Sequence, residues 1–426
     1  MQVLKRIGAR VGDIVRVLKK GQKFEGILIP RSEFGDDKHI VIKLRSGYNI
    51  GIFIDKDTEI NKIGPGVKPT FSPPPLPDQK TKLPRVAVLS TGGTIASRVD
   101  YRTGGVRPAL TANDLYSVVP ELSDIAVIEA QILFSIFSEN ITPNHWSQAT
   151  KYVARHIKHG VAGVVVAHGT DTMGYTAAAL SFALQNLPVP VILVGSQRSA
   201  DRPSSDAATN LIGAVKAAAS APFAEVVVAM HETVNDQSII FHRGTKTRKC
   251  DTSRRDAFKS INTSPLARFK NDKITMLTDN YNRRESQRKL TTKPLFEEKV
   301  SLVKFYPGLN PGVIKWYAEN GFKGIILEGT GLGHISSRCF PIIKKAIARN
   351  ILIGMTSQCI WGRINMNIYN TGRDLLKLGV IPLGDMLSET ALIKMMWALG
   401  NTKDEEEAKR LLTSNVANEC LCRTVF

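Results

Sequence analysis

The chain has 426 residues and a mass of 46.8 kDa, which accommodates about two to four domains of ordinary size. With 43% hydrophobic residues, 22% charged residues and a mean hydropathy of −0.08, the composition excludes a disordered or fibrous protein. No run approaches the ~20 apolar residues that span a bilayer, and no apolar segment follows the basic start MQVLKRIGAR, so we expect a cytoplasmic protein without a membrane span.

Residues 1–63 alternate in the manner of short strands. Ile40, Ile42 and Leu44 occupy alternate positions and so would lie on one face of a strand, and a second alternating run follows the turn at Ser46-Gly47. This pattern predicts a small antiparallel β-barrel domain. The segment has no nucleophile and base in a recognisable arrangement, which favours a binding module over a catalytic one.

Residues 64–84 hold seven of the 21 prolines of the chain. Such a segment cannot build the interior of a sheet and adopts extended polyproline geometry, so we interpret it as a semi-rigid linker. A ligand for proline-binding domains is the alternative.

After the linker, apolar runs of five to seven residues alternate with helical patterns. The runs are RVAVLS, AGVVVAH, PVILVGS, EVVVAM, VSLVKF, GIILEG and ILIGMTS. Continuous Val/Ile runs are typical of parallel strands that are buried on both faces, which predicts an α/β fold. A polar break near residues 265–300 divides this part into a larger domain at 85–290, expected to be catalytic, and a smaller one at 300–426.

The chain is strongly basic, with 57 Lys and Arg against 38 Asp and Glu, a net charge of +19 and a pI near 9.7. Such an excess favours polyanionic partners, and a solvated basic surface is the alternative. The stretch 243–293 has 15 basic and five acidic residues and could contact phosphates.

The cysteines are few, odd in number and scattered, which is typical of a reducing compartment and not of a disulfide scaffold. They are Cys250, Cys339, Cys359, Cys420 and Cys422. The C-x-C near the end has no second cysteine pair or histidine nearby, so we expect no metal site.

Ligands of open α/β sheets bind at the carboxyl ends of the strands. The first strand after the linker ends in STGGTIA at residues 90–96, where two glycines permit a sharp turn beside several hydroxyls. A Walker loop is excluded because no G-K-[ST] follows, and a dinucleotide fingerprint is excluded because its third glycine is missing.

A second strand ends in HGTDTM at residues 168–173, ahead of an alanine-rich helical run at 177–184. Thr170 or Asp171 could simply cap that helix. Alternatively, the two residues together with a hydroxyl of TGGT form a nucleophile and acid/base group. A threonine needs a base to lose its proton; His168 is one candidate, and a lysine held by Asp171 is another.

LSTGGTIAS and AHGTDTMGYTA resemble the two signatures of bacterial-type L-asparaginases and glutaminases, and the similarity extends from about residue 85 to the end. The resemblance implies an asparaginase-like two-domain fold with Thr94 as nucleophile. It also implies a relay of Thr170, Asp171 and a lysine. Matching RGTKTRKCDTSRRDAFKS through its closing FKS puts that lysine at Lys249, with Lys246 as the weaker candidate.

The same resemblance implies further site residues. Ser138 and Glu139 stand where the family holds the α-amino and carboxylate groups of the substrate, and Gly93 and Gly169 flank the reactive hydroxyls. Tyr101 lies in the segment that forms a mobile lid. In the smaller domain the loop at residues 328–334 ends in His334, a departure from the family that leaves the choice between asparagine and glutamine open.

The N-terminal domain, the linker and the basic charge resemble the archaeal family of glutamyl-tRNA(Gln) amidotransferase D subunits, as do FSENITP, TSRRDAFKSIN and DMLSETALIKMMWALGNT. This resemblance implies a glutaminase that hydrolyses L-glutamine. The ammonia would serve a partner, the amidotransferase E subunit, that converts Glu-tRNA(Gln) to Gln-tRNA(Gln) with ATP and magnesium. It implies no cofactor in this chain and a homodimer within a heterotetramer.

Two alternatives have different consequences. A stand-alone L-asparaginase would have the same chemistry without an RNA partner. A catalytically silent binding module is disfavoured because both hydroxyls, the carboxylate and a matching lysine are present.

Overall fold

The computed structural model describes residues 2–29, 38–44, 49–65, 82–92, 97–100, 105–108, 115–116, 119–198 and 205–423. Several positions from the sequence analysis lie outside these ranges. They are Thr94, Gly93, Tyr101, the Ser46-Gly47 turn and most of the proline-rich segment.

The N-terminal region is a five-stranded antiparallel sheet preceded by a short helix. Its elements are α1 (Gln2–Arg6), β1 (Ile14–Lys19), β2 (Gln22–Ile29), β3 (His39–Leu44), β4 (Asn49–Phe53) and β5 (Thr58–Gly64). The strand order is β4-β3-β2-β1-β5. Ile40 and Ile42 are buried and Ile40 pairs with Ile52, so one face of the alternating pattern forms a small core.

An eight-stranded mixed sheet forms the centre of the large domain. Its strands are β6 (Arg85–Ser90), β9 (Val127–Ile132), β10 (Gly163–Ala167), β12 (Val191–Val194), β13 (Val226–His231), β14 (Ser238–Arg243), β17 (Ala267–Lys270) and β18 (Lys273–Met276). The order is β18-β17-β14-β13-β12-β10-β6-β9, and the five strands from β13 to β9 in this order are parallel.

Three two-stranded sheets accompany the central one. They pair β7 (Ser97–Asp100) with β8 (Gly105–Pro108), β11 (Leu184–Gln185) with β19 (Thr291–Thr292), and β15 (Thr247–Lys249) with β16 (Phe258–Ser260).

Helices cover both faces of the large sheet. They are α2 (Pro143–Lys158), α3 (Met173–Ala183) and α4 (Ala207–Ser220). All five residues of β10 are buried, because α2 and α3 pack on one face and α4 packs on the other. Double coverage explains why these strands are continuous apolar runs.

The smaller domain is a four-stranded parallel sheet with helices. Its strands are β20 (Val300–Lys304), β21 (Gly324–Gly329), β22 (Leu352–Ser357) and β23 (Ile381–Pro382), in that order across the sheet. Its helices are α5 (Gly312–Glu319), α6 (Phe340–Ile347), α7 (Asn370–Leu378), α8 (Ser388–Asn401) and α9 (Glu405–Thr413). Short 3-10 helices occur at Pro120–Asp124, Ser138–Asn140 and Ser337–Cys339.

Helices α3 and α8 join the two domains. Phe182 of α3 stacks on Trp397 of α8 with ring centroids 5.7 Å apart. Two ion pairs without exposed side-chain surface accompany this apolar contact, Lys246 with Asp385 at 2.7 Å and Lys394 with Glu419 at 2.5 Å. Buried charges require such partners. The Lys246–Asp385 pair crosses between the domains and helps to fix how they meet, whereas Lys394 and Glu419 both belong to the smaller domain.

The α/β fold class predicted from the sequence is confirmed. All seven apolar runs become strands of the two parallel arrays. The alanine-rich helix begins at Met173, earlier than its apolar run, with Thr172 at the cap position. Thr170 and Asp171 therefore precede the cap. No helix in the described parts of the chain is long and apolar enough to cross a membrane.

Candidate active site

Three strand ends meet at one edge of the large sheet. Strands β12, β10 and β6 are neighbours, and the hydroxyl of Thr91, directly after β6, donates to the carbonyl oxygen of Ala167 at the end of β10, at 3.0 Å. Gly92 has φ +112°, and a Cβ there would lie 2.2 Å from the carbonyl oxygen of Ile136. Only glycine fits this turn, which starts the TGGT loop.

A lysine, a threonine and an aspartate meet at the end of β10. Lys249 Nζ donates to Thr170 Oγ1 at 3.0 Å and to Asp171 Oδ1 at 2.7 Å. The lysine side chain is 13% exposed, whereas the aspartate side chain is 69% exposed. The ammonium thus bridges a half-buried hydroxyl and a carboxylate that faces solvent. The structure brings together three residues that the sequence analysis grouped, and their catalytic roles stay predictions.

The hairpin β15–β16 carries the lysine to this place. Lys249 is the last residue of β15 and pairs with Phe258, which is 1% exposed and belongs to the core under the large sheet. His242 Nδ1 and Ser260 Oγ, 2.8 Å apart, tie the hairpin to β14. The FKS sequence used to locate the lysine is therefore the strand that holds it.

The weaker lysine candidate has a different partner. Lys246 Nζ donates to the Asp385 carboxylate at 2.7 Å and to the Asp385 carbonyl oxygen at 3.1 Å, across the domain boundary. Burial lowers the pKa of Lys246, and the charge of Asp385 opposes that shift. This ammonium is engaged in an interdomain contact, which makes it the poorer choice for a relay base.

His168 is fully buried and both ring nitrogens are within hydrogen-bond distance of a partner. The carbonyl oxygen of Gly169, 2.6 Å from Nδ1, can only accept, so Nδ1 carries the hydrogen and Nε2 accepts from Thr176 Oγ1 at 2.8 Å. Burial lowers the pKa of His168 to about 4. A neutral imidazole with both ring nitrogens hydrogen-bonded fits a structural role better than the role of a general base.

Three of the predicted substrate-binding residues, Ser138, Glu139 and Gly169, lie on two adjoining loops, and Gly93 is outside the described residues. Ser138 begins a short 3-10 helix and is buried, and its carbonyl oxygen accepts from Thr172 Oγ1 at 2.7 Å. A Cβ at Gly169 would lie 2.8 Å from the Cβ of Ser138, so glycine is required for this contact. Glu139 is exposed next to it. The two loops therefore touch beside Thr170.

One residue of this site was missed. Gln197 follows β12, and its Oε1 lies 3.4 Å from Thr170 Oγ1. The signal was available, because the run PVILVGS ends directly before Gln197 and the carboxyl ends of parallel strands form one edge. Gln197 was overlooked because the hydroxyl-rich motifs follow the neighbouring strands β6 and β10, and not β12.

The loop at residues 328–334 follows β21 in the smaller domain. Glu328 at the end of β21 is buried and accepts from Ser388 Oγ at 3.2 Å. His334 packs edge-on against Tyr369 with ring centroids 5.4 Å apart, and its Nδ1 lies 3.1 Å from Thr371 Oγ1. This loop is built from local contacts within the smaller domain.

Much of the basic stretch 243–293 is paired inside the molecule. Ion pairs join Arg243 to Glu225, Arg248 to Glu389, Arg255 to Asp236, Arg268 to Glu232 and Arg288 to Glu285. Part of the charge excess expected to contact phosphates therefore has a carboxylate partner. In the described ranges no group of three potential ligands is placed to hold a metal ion.

The arrangement of Lys249, Thr170 and Asp171 supports proton transfer at a hydroxyl. A lysine that loses its proton can take the Thr170 hydroxyl proton over a 3.0 Å contact, and Asp171 stabilises the ammonium that results. Such a hydroxyl can attack a carbonyl carbon or activate a water molecule. This is the chemistry of acyl transfer and amide hydrolysis.

Family models match three parts of the chain. Residues 85–282 match "Asparaginase, N-terminal", residues 299–412 match "Glutaminase/Asparaginase C-terminal domain", and residues 9–63 match "GatD N-terminal domain". Together they cover the N-terminal sheet and both α/β domains.

Similar solved structures are asparaginases. The thermostable L-asparaginase from Thermococcus kodakarensis superposes with a TM-score of 0.72 at 33% identity and covers 80% of this chain and 100% of its own. L-asparaginase I from Vibrio cholerae gives a TM-score of 0.70 at 27% identity, over 80% of this chain and 99% of its own.

Curated relatives match nearly the whole length. The D subunit of the glutamyl-tRNA(Gln) amidotransferase of Pyrococcus furiosus is 51% identical over 98% of this chain and 96% of its own. Those of Thermofilum pendens and Methanothermobacter thermautotrophicus are 47% and 49% identical, over 100% and 97% of this chain and 96% and 94% of their own. The chain belongs to the family of glutamyl-tRNA(Gln) amidotransferase D subunits, with an asparaginase-like fold.

Proposed function

We propose that this chain is the glutaminase component of a tRNA-dependent amidotransferase. It would hydrolyse L-glutamine and supply ammonia to a partner, the amidotransferase E subunit, that converts Glu-tRNA(Gln) to Gln-tRNA(Gln) with ATP and magnesium. The observation that carries the proposal is the ammonium of Lys249, held between Thr170 Oγ1 at 3.0 Å and Asp171 Oδ1 at 2.7 Å. Membership of the D-subunit family supports the coupling to tRNA.

The chemistry proceeds in two steps. Thr94 Oγ attacks the side-chain amide carbon of glutamine, and its proton passes to the departing nitrogen, which leaves as ammonia. The acyl ester on Thr94 then reacts with a water molecule activated by Thr170. Lys249 takes the proton of that water and returns it to Thr94 Oγ as the ester bond breaks, which releases glutamate. Exchange of the two threonines gives the alternative order. Backbone N–H groups of the glycine turn, including that of Gly93, stabilise the oxyanion.

The lid and the oligomeric arrangement belong to the same proposal. Tyr101 would close over the substrate, with Ser138, Glu139 and Gly169 at its α-amino and carboxylate end. The chain would act as a homodimer within a heterotetramer. ATP and magnesium would be used by the E subunit, and this chain would need no cofactor.

A stand-alone asparaginase is the competing function. The two solved asparaginases cover 80% of this chain and nearly all of their own, whereas residues 9–63 match a domain of the D-subunit family. An additional N-terminal domain of this family favours the amidotransferase.

The test is ammonia release from L-glutamine and L-asparagine by the purified chain, with and without the E subunit, Glu-tRNA and ATP. We expect glutamine hydrolysis that rises sharply only in the complete mixture. Fast asparagine hydrolysis by the chain alone, indifferent to tRNA, would instead establish the asparaginase.

Lys249→Met tests the relay. We expect kcat to fall by about 10²- to 10⁴-fold, the range for loss of a general base. Lys289→Met is the matched control, because Lys289 is exposed on the same basic stretch and forms no ion pair among the described residues. Turnover by Lys249→Met that equals the control would place the base elsewhere.

A further inference from the structure

An amide side chain lies against the Thr170 hydroxyl on the side away from the lysine. Thr170 Oγ1 accepts from Lys249 Nζ at 3.0 Å and donates to Gln197 Oε1 at 3.4 Å. A hydroxyl has one hydrogen and two lone pairs. While Lys249 is protonated, the amide oxygen therefore draws the hydrogen to one side and leaves a lone pair for the ammonium on the other.

The other end of the same amide has no hydrogen-bond partner among the residues that the structure describes. Gln197 Nε2 is buried and makes no hydrogen bond within the described parts of the chain. A buried donor without an acceptor is destabilising unless a ligand supplies one. Since Nε2 belongs to the amide group that contacts Thr170, this donor lies beside the hydroxyl that the proposed reaction uses.

The main chain at Gln197 is fixed from the core. Its N–H donates to both carboxylate oxygens of Asp206, at 3.1 and 3.0 Å, and the next N–H, of Arg198, donates to Asp206 Oδ1 at 2.9 Å. Asp206 has no exposed surface. A turn held by one buried carboxylate through three bonds gives the Gln197 side chain a defined origin.

A second layer holds that carboxylate. Asn210 Nδ2 donates to Asp206 Oδ2 at 3.0 Å and to the carbonyl oxygen of Gly195 at 3.0 Å, and Asn210 Oδ1 lies 2.7 Å from His231 Nδ1. Asn210 and His231 are fully buried. Supporting contacts of this kind keep a functional side chain in a productive position.

We propose that Gln197 is a further active-site residue. Through Oε1 it positions the Thr170 hydroxyl, and through Nε2 it donates a hydrogen bond to the carbonyl oxygen of the side-chain amide of the substrate. This inference rests on the proposed function, in which the substrate is an amino-acid amide such as L-glutamine.

The expected effect is on the rate more than on substrate binding. Negative charge grows on the amide oxygen as the tetrahedral intermediate forms, so a fixed donor stabilises the transition state more than the bound substrate. Loss of one such donor lowers kcat on the order of 10²-fold. A group that acts in this way changes kcat while KM stays within about threefold.

Gln197→Met is the direct test, because methionine has a similar length and lacks both amide atoms. We expect ammonia release from L-glutamine to show the fall in kcat at nearly constant KM, with an unchanged melting temperature. Gln185→Met is the matched control, because Gln185 lies at the end of α3 that is remote from Thr170. The helix between them is about 16 Å long at 1.5 Å per residue. The control should keep the activity of the unmodified chain.

Gln197→Glu gives a readout that a merely structural role would not change. A carboxylate at this position, 3.4 Å from Thr170 Oγ1, would lie near the Lys249 ammonium and favour its charged form. If the lysine must lose its proton to act, the rising limb of the pH–rate profile moves to higher pH by about one unit or more.

The outcomes separate the two proposals. An unmodified chain that releases no ammonia from L-glutamine or L-asparagine in the complete mixture overturns the proposed function and, with it, the role of Gln197. An active chain whose Gln197→Met variant matches the control, or whose Gln197→Glu variant keeps the original pH profile, overturns the Gln197 inference alone. A kcat loss together with the pH shift supports it.

Discussion

The ion pair between Lys246 and Asp385 offers a prediction that separates stability from catalysis. Both side chains lack exposed surface, and the ammonium contacts the carboxylate at 2.7 Å. The other oxygen of Asp385 accepts from the backbone N–H of Leu421 at 2.9 Å. Lys246→Met would therefore leave a buried carboxylate with one N–H donor and a distant Arg363, 4.0 Å away.

Removal of one partner of a buried pair costs about 3–5 kcal/mol, because the remaining charge has no compensation. We expect Lys246→Met to lower the free energy of unfolding by this amount. The double variant Lys246→Met/Asp385→Leu should be less destabilised than Lys246→Met, because it removes both charges. Lys249→Met should change stability by less than about 1 kcal/mol, since the carboxylate that it leaves behind, Asp171, faces solvent.

The assay is urea unfolding monitored by tryptophan fluorescence, with ammonia release measured on the same samples. Trp397 stacks on Phe182 at the domain junction and reports its opening. We expect Lys246→Met to lose stability and Lys249→Met to lose activity. A stable Lys246→Met protein that is inactive would refute the reasoning and make Lys246 the relay lysine.

Two further predictions concern the core and the loop beside Thr170. Burial lowers the pKa of His242 to about 3, so the unfolded chain takes up this proton near pH 6.5, before the folded chain does. The free energy of unfolding therefore falls as the pH drops below 6.5, and this residue contributes about 2 kcal/mol of that loss at pH 5. In urea unfolding, His242→Gln should lose about 2 kcal/mol less than the unmodified chain between pH 6.5 and pH 5. Gly169→Ala should lower ammonia release at least about tenfold, because its Cβ would lie 2.8 Å from the Cβ of Ser138 and would shift the Thr170 loop. In Gly174→Ala the new Cβ would meet only a carbonyl oxygen at 3.4 Å, so equal losses in both variants would contradict this account.

Local patterns determined the elements of this protein. Runs such as RVAVLS and GIILEG are apolar at successive positions because helices cover both faces of their strands, and this requirement is visible without coordinates. The alternation of Ile40 and Ile42 likewise revealed a sheet with one buried face. Motif resemblance then grouped Thr170, Asp171 and Lys249, although it could not show that their atoms meet.

Tertiary structure decided which distant side chains touch. Lys249 is 79 residues from Thr170, and only the pairing of β15 with β16 and the burial of Phe258 bring its ammonium there. Lys246, three residues earlier, contacts Asp385 of the smaller domain instead. Gln197 belongs to no sequence motif, and it lies in the site because β12, which it follows, is the neighbour of β10 in the sheet. Strand order, hairpin register and domain contact depend on long-range packing, which local composition does not encode.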